Sequence, residues 1–428
     1  VWRRYWRNFI RGSVIGTGVN KVATGIVASE LSAGSAGTIS VTQNANVSAS
    51  NFGLQTINNG TGAVTVNFGT AAGSSLTLSS GNIGINNTSN NAGATGAVNI
   101  NVGNSGVGAG TTTITATNRG ISSTAVGITN TTVALGDNVK IDPADYGIFI
   151  KTGGDATVTT GNANSITVND TPDKDNIGVG IYAESFRATD LAVGNPTTEV
   201  TLGANNTITV SSNNGIGILA RNSANSTGSV AVAAGNGLAI NVNGDQSYGI
   251  FATTDTAAVL DYAANGSGDV SVKTGSGLIS VDGTTDISGV AGTAPDHIAI
   301  LVQSNGGNVS IDTNQAVADM VLKAKADAGE IAFGAATVTA GNGASTITLS
   351  GDVTVSGTVN SVGVSAITAG GNNTITTNAD LDGDGEIVSS GAGVRAISTS
   401  GTVLVTNNDD VVADAGHELK TPLTSLRT

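Results

Sequence analysis

Apolar and small polar residues alternate along most of this chain, and the alternation returns at a regular interval. The clearest repeat is a glycine phrase, a glycine set in a short apolar run, found at Tyr146–Ile150, Val179–Ala183, Ile216–Ala220 and Tyr248–Ala252. Successive copies of its glycine are 33, 37 and 32 residues apart. Self-similarity at such a period is typical of proteins built from stacked repeats.

Two further families of short segments fill each interval between copies of the glycine phrase. The first begins with glycine, at Gly154–Val158, Gly228–Val232, Gly268–Val272 and Gly307–Ile311. The second follows it, at Ser165–Val168, Thr207–Val210, Leu238–Val242 and Leu278–Val281. Alternation with period 2 predicts strands with one buried face, and the Gly, Asn and Asp between them favour turns. Three short strands per interval therefore predict one coil of an all-β solenoid.

The same alternation predicts how far the solenoid extends. Weaker copies occur early, for example at Gly37–Val41, and clear copies resume late at Thr346–Leu349 and Gly401–Val405. Between them, Ala316–Glu330 departs from the pattern and is predicted to be a short helix or an irregular coil. We expect one solenoid over residues 20–408. Roughly a dozen coils at about 4.8 Å each would form a rod on the order of 55–60 Å long.

Composition limits the class of protein. Glycine makes up 61 of the 428 residues, aromatic residues 3% and charged residues 11%. Such a chain has too few bulky side chains for one large globular core, but enough Val, Ile, Leu and Ala for a narrow one. It contains no cysteine, which excludes disulfides and thiolate metal sites. Its net charge of −14 speaks against nucleic-acid binding, and no apolar run of about 20 residues predicts a transmembrane helix.

The first 19 residues differ from the rest of the chain. They hold both of its tryptophans and a group of arginines, at Trp2, Trp6, Arg3, Arg4, Arg7 and Arg11. One interpretation of this basic and aromatic segment is an anchor at a membrane interface or a cap on the solenoid. The alternative, which we favour, is that it is the end of a fragment.

The glycine phrases, the segments of the type GDVSV and the turns rich in Asn and Gly together resemble the right-handed β-helix of autotransporter passenger domains from Gram-negative bacteria. The resemblance implies display at the cell surface or secretion, with adhesion or aggregation as the function. It also implies glycans or proteins of a host or neighbouring cell as partners, and a β-barrel translocator that lies outside this chain. Because neither a signal peptide nor barrel strands are seen, we expect a passenger fragment.

Residues 409–428 form a different kind of segment, in which a short C-terminal helix is expected. His417–Leu423 reads HELKTPL and resembles the H-box of bacterial sensor histidine kinases. The resemblance implies that His417 is a phosphoacceptor, that Glu418 assists its proton transfer and that Thr421 positions water for dephosphorylation. A neutral imidazole is a competent nucleophile. A histidine-kinase fragment is therefore an alternative function, although the ATP-binding domain would have to lie outside this chain.

An acidic loop near residue 380 is a candidate calcium site. Its carboxylates stand at alternate positions, at Asp380, Asp382, Asp384 and Glu386. Oxygen ligands at this spacing, with a glycine for the sharp turn, suit a hard cation such as Ca²⁺. Gly391 occupies the twelfth position, where a bidentate acid is expected, so an acidic solvated turn is the alternative. Calcium is the only cofactor that the sequence suggests.

Other catalytic candidates are sparse. The carboxylates that could pair on one face, as in glycoside-cleaving β-helices, are Asp269, Asp282, Asp286 and Asp296. Such an enzyme needs two carboxylates about 5–10 Å apart, whereas acids in turns are far commoner. We expect His297 to be a strand-edge residue rather than a base. The leading prediction is a β-solenoid without catalysis of its own; a kinase fragment and a polysaccharide-processing or polysaccharide-binding β-helix are the alternatives.

Overall fold

The computed structural model describes most of the chain. The described residues are 22–73, 75–106, 108–169, 177–186, 195–222, 226–244, 247–254, 266–283, 297–313, 319–326, 330–357, 360–378 and 386–407, with short strands at 8–9, 14–15 and 410–413. For residues 8–9, 14–15, 378, 407 and 410–413 the description covers the backbone alone.

These residues form 38 β-strands and no helix. The first thirteen strands are β1 (Asn8–Phe9), β2 (Val14–Ile15), β3 (Thr24–Glu30), β4 (Ile39–Gln43), β5 (Val47–Ala49), β6 (Phe52–Asn58), β7 (Val64–Phe68), β8 (Leu76–Ser80), β9 (Ile83–Ser89), β10 (Val98–Val102), β11 (Thr112–Thr115), β12 (Arg119–Ala125) and β13 (Thr131–Leu135). The next thirteen are β14 (Val139–Asp142), β15 (Tyr146–Thr152), β16 (Ala156–Thr160), β17 (Ser165–Asn169), β18 (Ile177–Ser185), β19 (Thr198–Leu202), β20 (Thr207–Ser211), β21 (Asn214–Asn222), β22 (Val230–Ala234), β23 (Leu238–Asn243), β24 (Ser247–Thr253), β25 (Val270–Thr274) and β26 (Gly277–Asp282). The last twelve are β27 (His297–Ser304), β28 (Val309–Asp312), β29 (Met320–Lys325), β30 (Ala332–Thr339), β31 (Ser345–Ser350), β32 (Val353–Ser356), β33 (Val362–Thr368), β34 (Asn373–Asn378), β35 (Glu386–Ser389), β36 (Ala392–Ser398), β37 (Val403–Asn407) and β38 (Asp410–Ala413).

The strands repeat in groups of three and build three parallel sheets. Every third strand joins the same sheet, so sheet A runs from β1 to β37, sheet B from β2 to β38 and sheet C from β3 to β36. The sheets hold 13, 13 and 12 strands. Within a sheet, each strand pairs in parallel with the strand three places further along the chain. Because parallel crossovers are right-handed, the chain winds as a right-handed β-helix with three strands per coil. The predicted all-β solenoid is confirmed.

Stacked rows of similar apolar side chains fill the interior. In sheet C, Ile148 lies beside Ile181, which lies beside Ile218 in the next coil. All three are fully buried, and they belong to one core cluster that extends from Ile26 to Ile387. Full burial of such a side chain is worth about 1.5–3 kcal/mol. The apolar rows therefore stabilise the fold, and each row depends on the coils before and after it.

Close packing between coils explains the glycine of the repeating phrase. Gly217 faces the interior, where an added Cβ would lie 2.5 Å from the carbonyl oxygen of Gly249 and 2.5 Å from Cγ2 of Ile240. On either side of this inward position, Ile216 and Leu219 belong to a second apolar cluster that is separate from the core. The glycine phrase therefore supplies both a close approach between coils and apolar residues on the outer face of sheet C.

One predicted element is wrong. The sequence predicts a short helix or an irregular coil at Ala316–Glu330, but Met320–Lys325 is strand β29 of sheet B. Met320, Leu322 and Ala324 are buried and alternate with more exposed residues, which is the period of a strand. Pairing with β26 and β32 decides the conformation, because tertiary context overrides the helix propensity of Ala and Lys.

The solenoid also extends past both predicted boundaries. Strands β1 and β2 pair with β4 and β5, so coiling is already present within residues 1–19. Strand β38 pairs with β35 and continues sheet B into the segment expected to be a helical tail. Residues 414–428, which hold the rest of the expected C-terminal helix, lie outside the described residues.

Candidate functional site

Most of the residues singled out in the sequence lie outside the described part of the structure. These are His417, Glu418, Thr421, Asp380, Asp382, Asp384, Asp286 and Asp296. Glu386 is described, and its backbone N–H donates to Oδ1 of Asp352 over 3.1 Å at the start of β35. Within the described ranges, no cluster of three or more His, Asp or Glu side chains could hold a metal ion. Calcium binding and phosphotransfer therefore stay predictions.

The two described carboxylates of the polysaccharide hypothesis make contacts within the solenoid. Asp269 precedes β25, and its Oδ1 accepts a hydrogen bond from the backbone N–H of Asn308 over 2.8 Å. Asp282 ends β26, and its Oδ1 lies 3.9 Å from Nζ of Lys325 in the next coil. Asp269 lies just before a strand of sheet A begins, and Asp282 lies where the following strand, in sheet B, ends. The structure does not bring them together, since these are different corners of the coil.

The outer face of sheet C carries an apolar layer in its central coils. In sheets A and B the outward positions hold mostly small or polar residues, such as Thr157 and Thr209. Eleven outward side chains of sheet C instead form a cluster separate from the core, each at most 7% exposed. We call this set the outer strip: Val179, Tyr182, Ile216, Leu219, Tyr248, Phe251, Ile298, Leu301, Phe333, Ala336 and Val362. Because these side chains are buried, the outer strip is a second apolar layer outside the core and not an exposed patch. Its candidate site is the groove that opens beside it.

Register stacks the large side chains of the outer strip. Tyr182, Leu219, Phe251 and Leu301 occupy one register position in four successive strands, and Phe149 precedes them on β15. The rings of Phe149 and Tyr182 stack with their centroids 4.7 Å apart and an interplanar angle of 16°. Stacked aromatic pairs add about 0.5–1.5 kcal/mol to the stabilisation from buried area. The outer strip therefore joins neighbouring coils on the outside, as the core does inside.

An arginine lies at each end of the outer strip. On β12, the guanidinium of Arg119 lies 4.1 Å from the ring centroid of Phe149 and 5.0 Å from that of Tyr146. On β36, the guanidinium of Arg395 lies 5.3 Å from the ring centroid of Phe333. Contacts of this kind are worth about 0.5–1 kcal/mol at exposed sites and more where water is excluded. Both arginines thus lie against an aromatic ring of sheet C.

A charged cluster lies beside the aromatic part of the outer strip. Oε2 of the buried Glu184 lies 3.2 Å from Nη2 of Arg221 and 3.4 Å from Nζ of Lys151. The Tyr182 hydroxyl donates to Glu184 and accepts from Arg221. One carboxylate is thus held by two cations and a phenol, an arrangement that locks three neighbouring strands together.

Burial and the neighbouring charged groups together shift the pKa values of Tyr182 and Arg221. Burial, with the nearby Glu184 carboxylate, raises the pKa of Tyr182 well above its ordinary value, although Arg221 opposes the shift. Burial alone would lower the pKa of Arg221, but Tyr182 and Glu184 raise it overall. The phenol therefore keeps its proton and the guanidinium its charge, which is the state that the hydrogen bonds require.

A groove opens where the outer strip approaches β36. Its volume is about 610 Å³, and apolar side chains of β27, β30 and β33 line most of it. Its polar lining includes Ser365 and Arg395. The groove combines a concave apolar surface with very few polar groups, which is the usual composition of a small-molecule site.

His297 forms a second buried polar contact that sequence reasoning missed. It begins β27, as expected for a residue at the end of a strand, but its side chain is completely buried. Its Nε2 lies 3.1 Å from Oε2 of Glu330. An added Cβ at Gly283 would lie 2.0 Å from the imidazole, so the ring is packed tightly into this corner. Glu330 could not be identified from the sequence because its position depends on the register between β27 and β30.

Comparison with known proteins identifies no relative. No protein-family model, curated protein or solved structure matches this chain. The described residues include no helix that is long and apolar enough to cross a membrane. The autotransporter and H-box resemblances therefore stay predictions.

Proposed function

We propose that this chain is a passenger-type β-solenoid, displayed at a cell surface or secreted, that serves adhesion or scaffolding and performs no catalysis of its own. The observation that carries the proposal is the continuous register of three parallel sheets through the twelve coils that the described strands form. At about 4.8 Å per coil such a column is a rod on the order of 60 Å long. A rod of this kind holds its turns and outward side chains at a fixed spacing, which suits display.

Polar ladders on the outer faces support this proposal. Along sheet A, Nδ2 of Asn101 donates to Oδ1 of Asn67 over 2.8 Å, and Nδ2 of Asn67 donates to Oγ1 of Thr42 over 3.2 Å. These half-buried side chains run along the axis of the rod and offer hydrogen-bonding groups at the spacing of the coils. Glycans or proteins on a host or neighbouring cell are the partners that such a surface would bind.

Surface display on a Gram-negative host tests the proposal. The chain is fused to an outer-membrane translocator, and protease accessibility verifies its exposure. We expect adhesion to immobilised glycans, or aggregation of the cells, to rise above the level of the translocator alone. Gly217→Val, which disturbs coil stacking, is a control displayed in the same way. A chain that is displayed and folded but leaves both measurements at the level of the translocator would overturn the proposal.

The described residues favour neither alternative function. The H-box of the kinase hypothesis lies outside them. Asp269 and Asp282 of the polysaccharide-processing hypothesis lie at different corners of the coil, each with its own contact.

A further inference from the structure

The groove beside β36 exists because small side chains replace large ones in the outer strip. The register position that carries large side chains from Phe149 to Leu301 carries Ala336 on β30 and Ser365 on β33. Arg395 follows at the same position on β36. The volume left by the two small residues is the groove of about 610 Å³, which has them in its lining.

The walls of the groove are apolar on both sides of this row. Phe333 and Val362 lie on one side, and Val338 and Ile367 lie on the other. The register position of Val338 holds Gln303 in the preceding coil, so the row becomes apolar where the groove begins. A volume of this size lies within the range of about 300–1,000 Å³ typical of small-molecule sites.

Arg395 supplies a positive charge at the end of the groove. Its Nε donates to Oγ of Ser365 over 3.2 Å, which fixes the guanidinium over Phe333. No carboxylate within the described ranges pairs with Arg395, whereas Glu184 pairs with Arg221. Burial lowers the pKa of Arg395, and no carboxylate among the described residues offsets this effect. A half-buried guanidinium whose terminal nitrogens bond no described residue is suited to an external anion.

We propose that this groove binds a single-chain amphiphile with an anionic head, represented by a long-chain carboxylate. The carboxylate lies at Arg395, whose guanidinium can donate two parallel hydrogen bonds to it. The hydrocarbon chain lies along Phe333 towards Ile298 and Leu301, where its burial removes apolar surface from water. The proposed ligand is a small molecule, so this binding does not depend on the adhesion proposed above.

Calorimetric titration of the purified chain with decanoate, below its critical micelle concentration, tests the proposal. The uncharged comparison is 1-decanol, which has the same hydrocarbon chain. We expect saturable binding of one decanoate per chain. Binding of 1-decanol should be weaker by about ten-fold or more, as expected for the loss of a hydrogen bond to a charged group.

Two arginine variants separate the groove from the rest of the outer strip. Arg395→Gln should weaken decanoate binding by about ten-fold or more and leave 1-decanol binding unchanged. Arg119→Gln is the matched control, because Arg119 also stacks on an aromatic ring but does not line the groove. Thermal unfolding of each variant verifies that the solenoid remains folded. Equal losses of decanoate binding in the two variants would overturn the proposal.

A second pair of variants tests the groove without touching a charge. Ala336→Phe and Ser365→Phe fill the groove with a side chain that the same register position already carries at Phe149 and Phe251. Both should abolish the binding of decanoate and of 1-decanol. Undiminished binding in these variants, or no saturable binding by the native chain, would overturn the proposal. A dimer that Ala336→Phe disrupts, without decanoate binding by the native chain, would assign the groove to a second copy instead.

Discussion

Single glycines set how closely neighbouring strands of sheet C approach each other. At Gly217 an added Cβ would lie 2.5 Å from the backbone oxygen of Gly249, which belongs to the next coil. We expect Gly217→Ala to lower the free energy of unfolding by about 1–3 kcal/mol, the usual cost of overpacking. Ala299 occupies this register position in β27, so sheet C accommodates a Cβ where its strands are spaced for one. We therefore expect Gly217→Ala to lose only part of its stability and to remain folded.

Urea denaturation of Gly217→Ala beside Gly34→Ala measures this effect. Gly34 is the matched control because nothing lies within 4 Å of its added Cβ. Equal stability of the two variants would contradict the close approach assigned to Gly217.

Tyr182 makes stability depend on alkaline pH. Burial raises the pKa of Tyr182 in the folded chain, whereas the same side chain has a pKa of about 10 in the unfolded chain. Above pH 10 the unfolded state loses the proton and the folded state keeps it, so the stabilisation present below pH 10 is lost as pH rises. We expect Tyr182→Phe to reduce this loss, by at most about 1.4 kcal/mol per pH unit. Denaturation between pH 9 and 11 checks the slope; an unchanged slope in Tyr182→Phe would contradict the assignment.

Strands are the part of the fold that the sequence predicts well. The segment Thr207–Val210, identified by its alternation, lies within β20, and the glycine phrases lie in successive strands of sheet C. The wrong prediction of a helix or irregular coil at Ala316–Glu330 has a physical cause. Residues with helix propensity lie between β26 and β32 and pair with both strands. Local pattern thus predicts a strand only where local preference and coil stacking agree.

The outer strip leaves one signal in the sequence. A strand with one buried face should be polar at alternate positions, yet the glycine phrase is apolar at both Ile216 and Leu219, outside the core. That departure from period 2 is the available signal. The groove could not be predicted, because it depends on which strand lies opposite Ala336 and Ser365, and register is a property of the stacked coils.

Buried polar side chains also link successive strands of sheet C near the N-terminal end. Asn87, fully buried, accepts from Oγ1 of Thr56 over 2.9 Å and donates to Oγ of Ser123 over 3.0 Å. We expect Asn87→Leu to lower the free energy of unfolding by about 1–3 kcal/mol, because two buried hydroxyls lose their partner. The triple variant Thr56→Val, Asn87→Leu, Ser123→Ala should recover most of this loss. Urea denaturation checks both, and a triple variant weaker than Asn87→Leu would contradict the explanation.

The whole solenoid is held together by contacts between neighbouring coils. Among the described strands, each one pairs with no strand of its sheet other than those of the coils before and after it. Stability is then close to a sum of coil terms and nearest-neighbour terms. Damage to one coil should therefore remain local, in contrast to the global unfolding of a small globular domain.

Glu184→Ala tests this property of the whole molecule. The Arg221 side chain is only 13% exposed, and its guanidinium loses its carboxylate partner when Glu184 is removed, a change that typically costs about 3–5 kcal/mol. We expect hydrogen exchange, read by mass spectrometry, to accelerate in β15, β18 and β21 and to stay unchanged in β33. Lys273→Ala is the control, because it removes an exposed pair with Asp312 worth at most about 1 kcal/mol. Faster exchange in every coil after Glu184→Ala would show that the rod unfolds as one unit and would refute nearest-neighbour stacking.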